Sequence, residues 1–83
     1  MKEMKIDDSY IVKEKNVYYK VTIFMEDGKK AILIESNGFQ KVSYPNSQNS
    51  SDIQKSVECS ISDLSNNEYF KNSLQEKAEK NIN

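Results

Sequence analysis

Cys59 is the one thiol in this sequence, and the sequence offers nothing to activate it as a nucleophile. A thiol attacks as its thiolate, which needs a histidine or a strongly basic neighbourhood to form near neutral pH. Histidine is absent altogether. That absence also removes the commonest general base and the commonest metal ligand. A single cysteine can form neither an internal disulfide nor a cysteine zinc site. Cys59 alternates with Val57 and Ile61, which reads as a small buried hydrophobe on one face of a strand. The expectation is a non-enzymatic protein with no cofactor and no metal.

The acidic pairs Asp7-Asp8 and Glu26-Asp27 are the remaining candidates for catalysis or cation binding. Adjacent carboxylates on an extended chain point to opposite sides, so they read as turn and terminal solubility. Acid–base work on a glycoside needs two carboxylates facing one cleft, and no spacing here provides that. The only two glycines, Gly28 and Gly38, form no G-x-G-x-x-G and no G-K-[ST] phosphate loop. Asp27 lacks the acidic residues two and four places on that a calcium loop requires.

The aromatic residues offer a different chemistry. Tyr18, Phe24 and Tyr44, with Lys20 and Lys41 nearby, have the composition of a platform on which single-stranded nucleic acid stacks. Charge weighs against it. All twelve basic residues are lysines, balanced by thirteen acids to a net charge of −1. Arginine, the preferred bidentate grip on phosphate and guanine, is missing. Nucleic acid is therefore an unfavoured partner, and no run is long and apolar enough to cross a membrane as a helix. The start, MKEMKIDDSY, has no apolar core of a secretory signal, so a cytoplasmic location is expected.

The elements that must position these groups follow from patterning. The chain of 83 residues is one small domain, 1–83, with its apolar residues concentrated between 10 and 44. NVYYKVTIFME alternates with period two, and KKAILIES and FQKVSY follow Asp27-Gly28 and Asn37-Gly38. Such dipeptides between alternating runs signal two-residue hairpins. Upstream, YIVKE folds onto VYYKV through the weaker turn Lys15-Asn16. The segment 46–52, NSQNSSD, reads as a polar loop. Ile53, Val57, Cys59 and Ile61 then read as one face of a fifth strand, so that strands span about residues 5–62. Ser65-Asn66-Asn67-Glu68 matches a capping box and predicts a helix over about 66–80, with Phe70, Leu74 and Ala78 on its apolar stripe and Tyr69 beside them. The fold expected is α+β: an antiparallel meander of four to five strands, open or curled towards a barrel, with one C-terminal helix.

Two-residue loops set the register by counting. Val21 then faces Ile34, Ile23 faces Ile32, Phe24 faces Ala31, Lys20 faces Glu35, Leu33 faces Val42, Ser36 faces Phe39 and Ala31 faces Tyr44. One face collects Tyr10, Val12, Tyr19, Val21, Ile23, Met25, Ile32 and Ile34, the natural bed for the helix. The other collects Ile11, Tyr18, Phe24, Ala31, Leu33, Val42 and Tyr44, interleaved with Lys20, Thr22, Glu35 and Gln40. One helix cannot cover both sides. Either the sheet closes on itself or other segments fold over it, or the second face meets a partner.

On the second alternative the contact residues are Tyr18, Lys20, Phe24, Leu33, Val42 and Tyr44. The function expected is that of a protein-binding module acting by stoichiometric binding. Small inhibitors of host machinery carried by phages and mobile elements, anti-CRISPR proteins among them, have this profile of size, charge and missing catalytic groups. A single-stranded nucleic-acid binder, and a structural homodimer or assembly subunit joined through the same face, are the alternative readings.

Overall fold

The computed structural model describes the backbone of residues 5–80 and the side chains of residues 5–75. Strands β1 (Lys5–Glu14), β2 (Val17–Glu26), β3 (Lys29–Ser36) and β4 (Phe39–Ser43) form one antiparallel sheet in that order, followed by helices α1 (Ser50–Ser65) and α2 (Glu68–Lys80). The three turns explain the meander. Asp27 and Gly28 have φ of 52° and 80°, and Asn37 and Gly38 have 49° and 83°. Lys15 and Asn16, at 52° and 65°, adopt the same left-handed pair without a glycine. Two consecutive positive φ values make a type I′ turn, whose twist matches that of the flanking strands.

The predicted register holds. Val21 pairs with Ile34, Ile23 with Ile32, Phe24 with Ala31, Lys20 with Glu35, Leu33 with Val42, and Ser36 with Phe39. The ladder stops one pair short of the expected Ala31–Tyr44 partnership, at Ile32–Ser43. On β1 the register shifts between Ile6 and Asp8, so Asp7 is an extra residue with no partner on β2. This bulge decides which way Ile6 points.

The fifth strand is not formed. Residues 50–65 are helical instead, because Ile53, Val57 and Ile61 recur every fourth residue, a spacing that also fits one stripe of a helix. Ser60 and Leu64 complete the buried stripe. Asn49 caps it: its side-chain oxygen accepts the Asp52 N–H at 2.8 Å. The expected loop over 46–52 therefore ends at Asn49. Two residues past Val57 is more than half a turn around a helix, so Cys59 leaves the buried stripe and is exposed, contrary to the strand reading.

The second helix begins later than the Ser65 box implied. Ser65 ends α1, its hydroxyl donating to the Ser62 carbonyl at 2.9 Å. Asn67 is the cap, accepting the N–H groups of Tyr69 and Phe70 at 2.9 and 3.2 Å. Tyr69 points to solvent, whereas Phe70 is fully buried and Leu74 packs at the core margin. The expected stripe residue Ala78 lies outside the described side chains.

The core lies on one side of the sheet only. Tyr19, Val21, Ile32 and Ile34 meet Ile53, Val57, Ile61 and Leu64 of α1 and Phe70 of α2. The Phe70 ring stacks on Tyr19 at 6.0 Å between centroids and takes Phe39 edge-on at 5.5 Å. A hydrogen bond between the Ser43 and Ser60 hydroxyls and one from Asn37 Nδ2 to Ser73 Oγ tie the helices to β4 and its turn. The helices lie over β3 and β4, while β1 packs along β2 and, among the described residues, makes no comparably extensive contact elsewhere.

Candidate docking face of the sheet

The second face of the sheet is neither closed into a barrel nor covered by a described helix. β1 and β4 are the edges of the sheet, and every helical core residue meets the opposite side. Alternation along the strands puts Tyr18, Lys20, Thr22 and Phe24 of β2 on this outer face with Ala31, Leu33 and Glu35 of β3 and Gln40 and Val42 of β4. β1 adds Ile11, opposite Lys20, and Ile6, opposite Phe24.

Of the six contact residues expected from sequence, the structure exposes Tyr18 (61%), Val42 (48%) and Tyr44 (67%), together with Lys20. Leu33 is half-buried. Phe24 is a correction: at 4% exposure it cannot touch a partner. It sits on an inner strand with Ile6 and Ala31 directly across from it on either side, so neighbouring side chains enclose its ring. Phe24, Ala31 and Thr22 form a buried floor, and the larger exposed side chains stand around it.

Sequence reasoning missed Ile6, which is 63% exposed. An unbroken strand would carry Ile6 with Tyr10 and Val12 on the core face; the bulge at Asp7 rotates it outward. The only local signal is the pair of acids that interrupts the alternation.

The charged groups of this face have polar or aromatic neighbours on the same face. Lys20 lies opposite Glu35, and Gln40 Nε2 donates to Glu35 Oε2 at 3.4 Å. The Tyr44 hydroxyl donates to Glu26 Oε2 at 3.4 Å. The Lys13 ammonium stands 5.5 Å from the centre of the Tyr18 ring, a cation–π distance. Two shallow cavities mark the ends. One, about 300 Å³, is bordered by Ile11, Tyr18, Lys20, Glu35 and Gln40; the other, about 240 Å³, by Glu26, Lys29, Ala31 and Tyr44. Lys41, placed near the tyrosines by sequence, belongs to the helix side, where its ammonium is 3.8 Å from Asp63.

The tyrosines with displaced pKa values lie on the core side. Burial, then the nearby Asp8 carboxylate, raises Tyr10 above its usual value; burial, then Glu14, raises Tyr19. Among the described residues no three acidic, cysteine or histidine side chains gather as a metal would require. No described helix is long and apolar enough to cross a membrane. No protein-family model, curated protein or solved structure matches this chain.

Proposed function

We propose that the protein is a non-enzymatic binding module that docks another protein on the outer face of its sheet and acts by stoichiometric occupancy. The observation that carries this reading is that Ile6, Ile11, Tyr18, Val42 and Tyr44, all large, stay about half exposed or more around one face of the sheet, with Leu33 half-buried between them. Isolated apolar residues on a surface are ordinary, whereas a contiguous group rimmed by polar side chains marks a contact site. Tyrosine suits such a site because its ring buries a large area while its hydroxyl keeps a hydrogen bond. Within this reading the protein is an inhibitor of host machinery of the kind carried by phages and mobile elements.

The exposed Tyr18 and Tyr44 rings favour a second reading, stacking of single-stranded nucleic acid. Phosphate binding needs cations free of local partners, and Lys20 faces Glu35 across the ladder, which weighs against it.

Val42→Asp and Tyr44→Asp separate these readings. Both residues are exposed, so both variants are expected to fold, checked by their circular dichroism. A protein partner captured by the parent at a fixed molar ratio is lost by both variants. Retention of every partner by both folded variants sinks the docking reading. Binding of an oligonucleotide that weakens steeply with salt supports the second reading instead.

A further inference from the structure

The two edges of the sheet are protected unequally. β4 is a five-residue edge that ends two positions before Pro45. β1 runs ten residues. The bulge at Asp7 breaks its first part, and the Asp8 carboxylate already accepts the Ser9 N–H at 2.9 Å. Short edges, bulges and capped groups are devices that keep an edge from pairing. Beyond Ser9 they stop.

Hairpin parity tells which groups of β1 are free. Around a two-residue type I′ loop the flanking pair, here Glu14 and Val17, exchanges both backbone hydrogen bonds, and bonded pairs then alternate along the ladder. Tyr10 and Val12 therefore bond to β2, whereas Ile11 and Lys13 direct their N–H and C=O groups out of the edge. The Lys13 ammonium is held over the Tyr18 ring on the outer face, not across that edge.

We propose that β1 pairs antiparallel with β1 of a second copy, about a two-fold axis at Val12, joining the two four-stranded sheets into one. A two-fold pairing that keeps the pleat must centre on one residue. Centred on Val12, Ile11 of each copy meets Lys13 of the other, so the bonds form between the very groups the hairpin leaves free, and Tyr10 faces Glu14. Centring on Ile11 needs the Ser9 N–H, which is taken, and sets Asp8 against Glu14, carboxylate against carboxylate. Centring on Tyr10 needs the same N–H and sets Val12 against Asp8.

Size supports a second copy as the occupant. At about 4.8 Å between strands and about 3.3 Å per residue, the outer face of one copy covers roughly 500 Å². A standard interface takes about 800 Å² from each partner. Edge pairing doubles the face and brings Ile11 and Tyr18 of both copies to its centre. This area argument rests on the docking role proposed above; the strand pairing does not.

The test is a disulfide across the axis. In a Cys59→Ser background, Val12→Cys places two thiols in a directly opposed, non-hydrogen-bonded pair, where Cβ atoms lie about 4.5–5.5 Å apart. Mild oxidation is expected to yield a covalent dimer of twice 9.6 kDa. Adding Ile11→Pro, which deletes an outward N–H without touching the β1–β2 ladder, is expected to abolish it. The parent chain should show a mass rising from 9.6 kDa with concentration, and Val42→Asp should leave this rise unchanged while losing the docked protein. A mass fixed at 9.6 kDa, with Val12→Cys crosslinking no faster than an exposed Lys55→Cys control, overturns the proposal. So does a dimer that persists in Ile11→Pro.

Discussion

Ile6 and Ile11 lie on the same face of the sheet although five positions, an odd number, separate them along one strand. In an unbroken strand they would point to opposite sides. The extra residue Asp7 corrects the parity, and both isoleucines stand exposed on the outer face, Ile6 opposite the buried Phe24 and Ile11 opposite Lys20. Deleting Asp7 leaves Ile6 four positions from Ile11, so a regular strand should keep both on the outer face, with Ile6 still opposite Phe24. Its expected signature is retained partner binding with the β2–β3 hairpin intact, read from amide chemical shifts, whereas an Asp7 that itself makes the contact would show as lost binding.

The floor and the rim of that face should respond differently to substitution. Phe24→Ala removes a buried ring and is expected to cost about 3–5 kcal/mol, enough to unfold a domain this small. Val42→Asp is exposed and should change stability by no more than about 0.5 kcal/mol. Urea denaturation of the two variants distinguishes a structural residue from a contact residue.

Asn49 supplies a test of helix α1. Asn49→Ala removes the acceptor of the Asp52 N–H and should destabilise the protein by about 1 kcal/mol. Were residues 53–61 a strand, the substitution would be neutral. Cys59 reports on the same point: its thiol is exposed, so an alkylating reagent should modify it in the native protein nearly as fast as in urea.

The turn at Lys15-Asn16 leaves stability unclaimed. Lys15 holds φ of 52°, a left-handed conformation that costs an ordinary residue roughly 1–2 kcal/mol. Replacing the pair by Asn-Gly, as at Asn37-Gly38, should stabilise the fold by about 1 kcal/mol, measured as a higher urea midpoint with an unchanged slope.

Alkaline pH should unfold the protein in part through Tyr19. Its folded pKa is raised above the ordinary value of 10.0 by burial and then by Glu14. The unfolded chain therefore releases this proton first, and the folded state binds it more tightly. Stability from this group is fully present below pH 10 and is lost as pH rises through the folded pKa. Tyr19→Phe should flatten that loss, and a titration of tyrosinate absorbance should show the buried ring ionising above the ordinary tyrosine value.

Much of the sheet is legible in the order of residues. Asp27-Gly28 and Asn37-Gly38 demand left-handed backbone, which selects two-residue loops, and loop length sets register by counting. The division into two faces follows, including the separation of Leu33 from Ile32 and Ile34. The segment 53–61 is not legible in the same way, because Ile53, Val57 and Ile61 satisfy a period of two and of nearly four alike. Packing of Val57 and Ile61 on Ile32 and Ile34 resolves it as a helix.

Sequence alone thus determined the local choices, turn type, pairing and alternation, because each depends on residues close along the chain. Tertiary structure decided the rest. Only the placement of both helices on one side of the sheet reveals that Tyr18, Val42 and Tyr44 stay open, and only the enclosure by β1 and β3 reveals that Phe24 does not. Burial is a property of what lies across the strands, and an alternating pattern carries the side a residue points to without what meets it there.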